Sequence, residues 1–411
     1  MKVLVMHNEY RMAGGEDAVV AAEVRLLREA GVEVLEHFVT NDGAGGFRET
    51  VNLVRSSAWS WPAYRDVRRI CVEFRPDIAH VHNFWMALSP SAHQACHDEG
   101  IATVQTLHNF RLICANALLL RNGRICEQCV GKTPWRGIAH RCYRNSALAS
   151  AAVVRMLAAS RRRRIWTEKT DAFVALSESS RRRFAAAGIP AGKIFIKPNF
   201  VPARIARPLR SGSLRNLIYA GRLSPEKGVR LLLQAWARVD RRRAKLIVAG
   251  TGPLARELRD FAAALSLGDS VDFPGHISPE RIEELLADSR GAILPSLCLE
   301  NFPRMLVEAF ASGRGVIAAD IGALGELVEH CKTGLLFRAG DAESLAFAME
   351  TILRDDSLAS RLGEAAAQEY AEKYTPSRNL KTLFEIYEFA RRRPRDPIPP
   401  GEESELTAVC R

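Results

Sequence analysis

The chain has 411 residues, of which 58 are Lys or Arg and 47 Asp or Glu, for a formal charge of +11, and 47% of the residues are hydrophobic and 26% charged. That length allows two domains with a core each, and the balance is that of an ordinary globular protein, which excludes collagen-like and wholly disordered chains. The most apolar stretch, Ala147 to Ala159, is short and interrupted by Arg155, so no segment is predicted to cross a bilayer.

Met1-Lys-Val-Leu-Val-Met6 reads as a short strand without the apolar core of a signal peptide, and the expected location is cytoplasmic. From there β-type runs alternate with helical patterns, as parallel α/β layers require. In the first half the predicted strands are Val3 to Met6, Ala79 to His82, Ala102 to Leu107, Ala172 to Leu176 and Ile194 to Ile196. In the second they are Leu217 to Ala220, Lys245 to Ala249, Val271 to Phe273, Ala292 to Leu294 and Val316 to Ala318. Between the first strands, Val20, Val24 and Leu27 share one helical face and Gly31 stops the turn.

The predicted organisation is a first Rossmann-like domain over 1–200 and a linker over 201–214 where apolar periodicity gives way to Pro, Gly, Ser and Arg. A second Rossmann-like domain follows over 215–373, then a helix over 374–391, and a disordered tail over 392–411 that contains four prolines. Two doubly wound sheets facing each other leave a cleft at the C-terminal ends of their strands, where open α/β sheets bind ligands.

The positive charge calls for an acidic partner. Arg161 to Arg164 and Arg181 to Arg183 form blocks, and Arg55, Arg65, Arg68 and Arg69 surround Trp59 and Trp61. Basic residues beside Trp suit an anionic membrane surface, while solvated helix faces give the same pattern. No helix-turn-helix, zinc-finger or RNA-binding pattern accompanies the charge, so nucleic acid is not an expected partner.

An insertion over about 110–145 holds Cys114, Cys126, Cys129 and Cys142, and Cys126-Glu-Gln-Cys129 is the short step of a structural zinc knuckle. Four reduced thiols without metal, or disulfides, are the alternatives; a cytosolic compartment disfavours the latter.

Two stretches of the second half carry the strongest chemistry. Gly221-Arg-Leu-Ser-Pro-Glu-Lys-Gly228 follows a strand and opens a helix. A glycine turn, the cations Arg222 and Lys227 and a helix N-terminus together describe a diphosphate site. In Ser296-Leu-Cys-Leu-Glu-Asn-Phe-Pro-Arg-Met-Leu-Val-Glu308, Pro303 is placed as the first residue of a helix, with Glu300 on the loop before it and Glu308 inside. The backbone N–H groups of Asn301 and Phe302 would complete that pocket. Gly250-Thr-Gly252-Pro253 and Gly275-His276 follow other strands of this half. In the first half Gly14 and Gly15 lie in a strand-to-helix turn, a place where backbone can approach a phosphate.

These motifs, in this order, resemble the retaining glycosyltransferases of family 4, which have the GT-B fold and use a nucleotide-sugar donor. The resemblance implies two Rossmann-like domains across a cleft, with the last helix crossing back to the first domain. It implies that Arg222 and Lys227 neutralise the departing nucleoside diphosphate without a metal, that Glu308 holds the ribose hydroxyls, and that Glu300 and His108 lie at the reacting sugar. Gly14, Gly15 and Gly252 become donor contacts through their backbones. The family usually has glycine where Asn301 stands; asparagine tolerates left-handed backbone better than most residues. No cofactor is implied for the chemistry. The expected activity is transfer of a sugar, with retention, to a glycan or lipid-linked acceptor in cell-surface or extracellular polysaccharide assembly. A nucleotide-sugar epimerase or hydrolase of the same fold, and a non-catalytic membrane-associated module, are the rival expectations.

Overall fold

The computed structural model describes residues 1–9, 14–41, 56–202, 215–241 and 244–392, with the side chain of residue 215 left aside. Most of the predicted linker, the predicted tail beyond residue 392, and Arg55 lie outside the described residues.

Strands β1 (Lys2–Glu9), β2 (Glu33–Thr40), β3 (Ile78–Val81) and β4 (Ala102–Thr106) come first, then a small antiparallel hairpin of β5 (Leu120–Arg121) and β6 (Arg124–Ile125), then β7 (Ala172–Ala175) and β8 (Ile194–Ile196). All but the hairpin form one parallel sheet in the order β2-β1-β3-β4-β7-β8. The second parallel sheet is built from β9 (Arg215–Ala220), β10 (Ala244–Ala249), β11 (Val271–Gly275), β12 (Ser289–Leu294), β13 (Val316–Ala319) and β14 (Gly334–Phe337), in the order β11-β10-β9-β12-β13-β14. Helices cover both, so interior strands such as β3, β4, β12 and β13 are buried at every position, as a parallel sheet layered on both faces requires.

Both sheets reverse their winding once, between β1 and β3 in the first and between β9 and β12 in the second. Loops that leave strand C-termini at such a reversal diverge and open a crevice. The Gly14 turn and His82 flank the first reversal; the 221–228 and 295–302 loops flank the second.

Helix Pro376–Arg392 runs from the second sheet's side back onto the first, where Leu383, Ile386, Tyr387 and Ala390 are buried. Asn379 Nδ2 donates to the Pro198 carbonyl (2.7 Å), and the Tyr387 hydroxyl meets His80 Nδ1 at 2.8 Å. Helix and sheet thus share one polar network as well as an apolar face.

Two strands and a hairpin went unpredicted. β2 and β14 are both edge strands. β2 exposes Glu33, Glu36 and Leu35 and so lacks the apolar run by which buried strands are read, whereas β14 carries Leu335, Leu336 and Phe337 in a row and went unread all the same. Pro303 also sits one place earlier than expected, as the N-cap of helix Arg304–Ala311.

Candidate functional site

Three loops of the second domain are knit into one rim. Leu223 N–H donates to the Thr251 carbonyl (2.8 Å), Leu254 N–H to that of Leu223 (3.0 Å), and Leu297 N–H to that of Glu226 (2.8 Å). Gly228 has a left-handed φ of 71°, and a Cβ there would come within 1.9 Å of the Pro295 carbonyl oxygen. Gly252 packs on the Leu223 backbone, where a Cβ would lie 2.4 Å from its carbonyl oxygen. No side chain fits at either place.

On this rim Lys227 Nζ donates to Glu300 Oε1 at 2.6 Å, and Ser296 Oγ donates to the same oxygen at 2.6 Å. Burial pushes the Glu300 carboxyl up, but the Lys227 charge and these two bonds more than reverse it, leaving Glu300 below the usual carboxylate range. Burial likewise lowers Lys227, and Glu300 chiefly brings it back above its ordinary value. Both groups are therefore charged at neutral pH. Burial and then Glu300 push the adjacent Cys298 thiol up to about 12, so it stays protonated. Arg222 is exposed, and its carbonyl is held by the Tyr219 hydroxyl at 2.8 Å. Glu308 is buried, with Oε1 2.9 Å from Arg304 Nε one helical turn earlier. Phe302 is buried on the loop between them.

The first domain presents imidazoles instead of charge. His108, just beyond β4, has Nε2 2.9 Å from His82 Nδ1, and the two rings stack. Behind them His82 Nε2 and His80 Nδ1 lie 3.3 and 3.2 Å from Glu23 Oε1, while Lys197 Nζ donates to Glu23 Oε2 at 2.7 Å. Burial would raise Glu23, yet Lys197 foremost and the two histidines hold it well below the usual range. Burial lowers His80, His82 and His108 below the ordinary imidazole value, so all three are neutral at pH 7. Among the described residues Glu23, His80 and His82 are the one trio whose ligand atoms all lie within 4.8 Å. The buried Lys197 ammonium already neutralises that carboxylate, and the Tyr387 hydroxyl lies 2.8 Å from His80 Nδ1.

Gly14 and Gly15 are exposed at the start of helix Gly15–Glu29. Gly14 N–H donates to Asp17 Oδ2 at 2.6 Å, and Asp17 Oδ1 is 2.9 Å from His7 Nε2. One of the amides expected to face a ligand is thus taken by the chain itself.

The domains meet beside these groups. Asn301 Nδ2 donates across the gap to the Leu107 carbonyl at 3.0 Å, one residue before His108. Asn301 is not among the residues with positive φ, so the asparagine serves as a cross-domain donor and not as a left-handed turn residue. Glu326 accepts the N–H groups of Glu178 (2.7 Å) and Ser179 (2.6 Å), at the N-terminus of helix Glu178–Ala186 in the first domain. Leu299 packs into the first domain's core cluster.

In the insertion Cys114 is buried and Cys126, Cys129 and Cys142 are half-buried, all with free thiols. Burial and then the charges of Cys114 and Cys126 raise Cys129; burial, Cys114, Cys129 and Cys126 raise Cys142. The four thiols thus act on one another electrostatically, but among the described residues no three of these sulfurs lie within 4.8 Å of one another. Trp59, Trp61 and Tyr64 cluster, but the cation on the Trp59 ring, 4.4 Å away, is Arg163 and not one of the expected neighbours; Arg68 lies over Tyr64 instead. No described helix is long and apolar enough to cross a membrane.

Residues 13–204 match the family model described as Glycosyltransferase Family 4, and residues 205–369 match Glycosyl transferases group 1. The chain carries two glycosyltransferase domains. Among relatives, an exopolysaccharide phosphotransferase of Streptomyces coelicolor is 31% identical over 58% of this chain and 25% of its own length. A GDP-mannose-dependent alpha-(1-6)-phosphatidylinositol monomannoside mannosyltransferase of Mycobacterium tuberculosis is 30% identical over 48% of this chain and 57% of its own. The chain spans 25 to 45% of the length of the first three curated relatives it matches. HepE of Anabaena, solved with UDP and glucose, superposes with a TM-score of 0.66 at 18% identity, over 94% of this chain and 99% of that one. The fold is GT-B.

Sequence reasoning left His80 and His82 outside the site and did not consider Glu23. The signal existed: Glu23 shares the helical face of Val20, Val24 and Leu27, and His80 and His82 lie on one face of a strand.

Proposed function

We propose that this chain moves a glycosyl unit from a nucleoside diphosphate sugar to an acceptor hydroxyl with the anomeric configuration retained. The observation that carries the reading is the charged Lys227–Glu300 pair at the second sheet's winding reversal, tied through Asn301 to the backbone beside His108. A bound diphosphate would draw on Lys227 and the exposed Arg222, which neutralise charge as the bond from the anomeric carbon to the diphosphate oxygen breaks. The acceptor oxygen forms its bond on the same face, and its proton passes to the departing diphosphate. Glu300, freed from part of its ion pair, holds ring hydroxyls and stabilises oxocarbenium character; Glu308 accepts from the ribose hydroxyls, and His108 bonds a sugar hydroxyl. Gly14, Gly15 and Gly252 shape the donor pocket, and the backbone N–H groups of Asn301 and Phe302 face it. The relation of HepE to UDP and glucose supports a nucleotide-sugar donor.

Transfer requires no metal in this scheme. The acceptor is a glycan or lipid-linked chain in cell-surface or extracellular polysaccharide assembly, in line with the relatives' names. The protein is cytoplasmic and peripheral, and the Trp59, Trp61 and Arg163 cluster contacts an anionic leaflet. Cys114, Cys126, Cys129 and Cys142 hold a structural zinc: an all-thiolate set is the chemistry of closed zinc sites.

Incubation with UDP-, GDP- and ADP-sugars and a panel of acceptors, read by mass spectrometry, tests the activity. Glycosylated product, undiminished by EDTA, is expected; an epimer or free sugar alone would favour a hydrolase or epimerase, and donor binding without turnover a binding module. Co-sedimentation with anionic but not neutral vesicles at low salt checks the membrane contact. Elemental analysis should find about one zinc per chain.

A further inference from the structure

The imidazole chain of the first domain fixes more than the position of His108. Each of His80, His82 and His108 is neutral at pH 7, so each carries a single ring proton, and which nitrogen holds it decides what the ring offers. His82 Nε2 is buried 3.3 Å from Glu23 Oε1, and neither atom has another hydrogen-bond partner among the described residues. An ionised carboxylate only accepts, so a lone pair at His82 Nε2 would set two acceptors against each other in a buried place. The proton of His82 therefore belongs on Nε2. Its Nδ1 is then an acceptor, and the 2.9 Å contact to His108 Nε2 requires that nitrogen to donate. Nδ1 of His108 is left with a lone pair and no partner among the described residues.

We propose that Glu23 and His82 are positioning residues that lock His108 as a hydrogen-bond acceptor, so that its Nδ1 receives a hydroxyl proton and cannot present one. Lys197 completes the device. Its ammonium, 2.7 Å from Glu23 Oε2 and 3.1 Å from Asn379 Oδ1, keeps the carboxylate charged and therefore accepting. Other charged or titratable groups at the chain are His7, whose ring stands edge-on to His82, and Asp17 beyond it; neither reaches the His82–His108 contact. Only the identity of what meets Nδ1, a sugar or acceptor hydroxyl, rests on the transferase reading. The proton positions do not.

The proposal makes Glu23→Gln an informative substitution. The Gln oxygen must take the Lys197 ammonium, which is only a donor, and the amide NH2 then faces His82 Nε2. His82 is forced to carry its proton on Nδ1, and His108 follows. Long-range 1H–15N correlation spectra of the full chain labelled with 15N-histidine at pH 7.5 read this without substrate. In the wild-type chain, His82 and His108 should both show a protonated Nε2 and a bare Nδ1; in E23Q both should invert. Tyr387→Phe, which removes a hydroxyl from His80 Nδ1 and leaves the Glu23–His82 and His82–His108 contacts in place, should leave His82 and His108 as in wild type. A proton on His108 Nδ1 in the wild-type chain, an E23Q chain that folds without inversion, or equal inversion in Tyr387→Phe overturns the proposal. If E23Q does not fold, the wild-type spectrum still decides. Should the tautomers behave as stated while no donor is ever turned over, the transferase reading fails and the positioning device stands.

Discussion

The two faces of the cleft are built on opposite electrostatic plans. The second domain's rim places a lysine and a glutamate in ionised contact at 2.6 Å, both partly open to solvent. The first domain's floor keeps three imidazoles neutral by burying them, and hides a lysine–glutamate pair, Lys197 and Glu23, behind the rings at 2% exposure each. Charge that can be re-partnered belongs where a diphosphate arrives; charge that must not move belongs beneath groups whose hydrogen bonding has to stay fixed. On the proposed transfer, the floor would orient and the rim would stabilise a developing anion.

The largest effect expected from this division is at Lys227. Lys227→Ala should lower kcat/KM by about 10²–10³, mostly in kcat, because the leaving diphosphate loses a cation and Glu300 loses its partner. His108→Gln, which removes a neutral contact, should cost less, on the order of tenfold. Steady-state kinetics on the pair would break the comparison if their losses were equal. Next is Gly228→Ala. With φ at 71° and a Cβ 1.9 Å from the Pro295 oxygen, the substitution should destabilise the second domain by about 3 kcal/mol. Differential scanning calorimetry should show its Tm falling while hydrogen exchange in β3 and β4 is unchanged.

Acid should separate the faces in the opposite sense. An imidazole whose folded pKa lies below its unfolded one binds fewer protons when folded, so the stability tied to it is present above the ordinary value near 6.5 and is lost as pH falls below it. This applies to His80, His82 and His108, and to His93, which burial brings down to about 4. Glu300, held low, contributes above the ordinary carboxyl value and loses that only as pH falls through its lowered folded value. Lys227, held high, contributes below the ordinary lysine value and loses that only as pH rises through its raised one. Between pH 7.5 and 5.5, hydrogen exchange should therefore accelerate in β3 and β4 but not in β9 and β12. Equal acceleration in both sheets would remove the distinction.

Much of this was legible in the sequence, and what was not follows a physical pattern. Buried parallel strands read as apolar runs, so the interior of both sheets was found; β2, at an edge, carries no such run, and the short run Leu335 to Phe337 of β14 was missed. The rim's cations and acids were found because loops at a winding reversal concentrate glycine, proline and charge in short motifs. The floor was not, since its network joins Glu23, His80, His82, Lys197 and Tyr387 from four stretches far apart in the chain. A glutamate on an amphipathic helix ordinarily reads as solvated. Lys227 and Glu300 were each expected at the donor, but their direct contact was not, because spacing along the chain says nothing about a pairing across 73 residues.

A smaller effect belongs to Asn301. Asn301→Ala removes the neutral bond to the Leu107 carbonyl, which is worth about 1 kcal/mol, and should raise KM for the donor a few-fold with little change in kcat. Asn301→Gly should behave alike, since the position has no left-handed strain for glycine to relieve.

The smallest expected effect is at Glu326, and it differs from Asn301 in kind. Its carboxylate caps the first turn of helix Glu178–Ala186 from the other domain, accepting two backbone N–H groups on the exposed side of the contact. Gln keeps an acceptor oxygen and loses the charge that favours a helix N-terminus, a term of about 0.3–1 kcal/mol that salt screens. Glu326→Gln should raise donor KM about twofold at low ionic strength, and the gap from wild type should close as salt is added. For Asn301→Ala the gap should persist, because a buried neutral hydrogen bond has no charge for salt to screen. Titrating KM against salt for the two variants separates the contacts: parallel responses would mean that the domains are held by one undifferentiated interface, while divergent ones assign the exposed side of the closure to charge and the buried side to hydrogen-bond satisfaction.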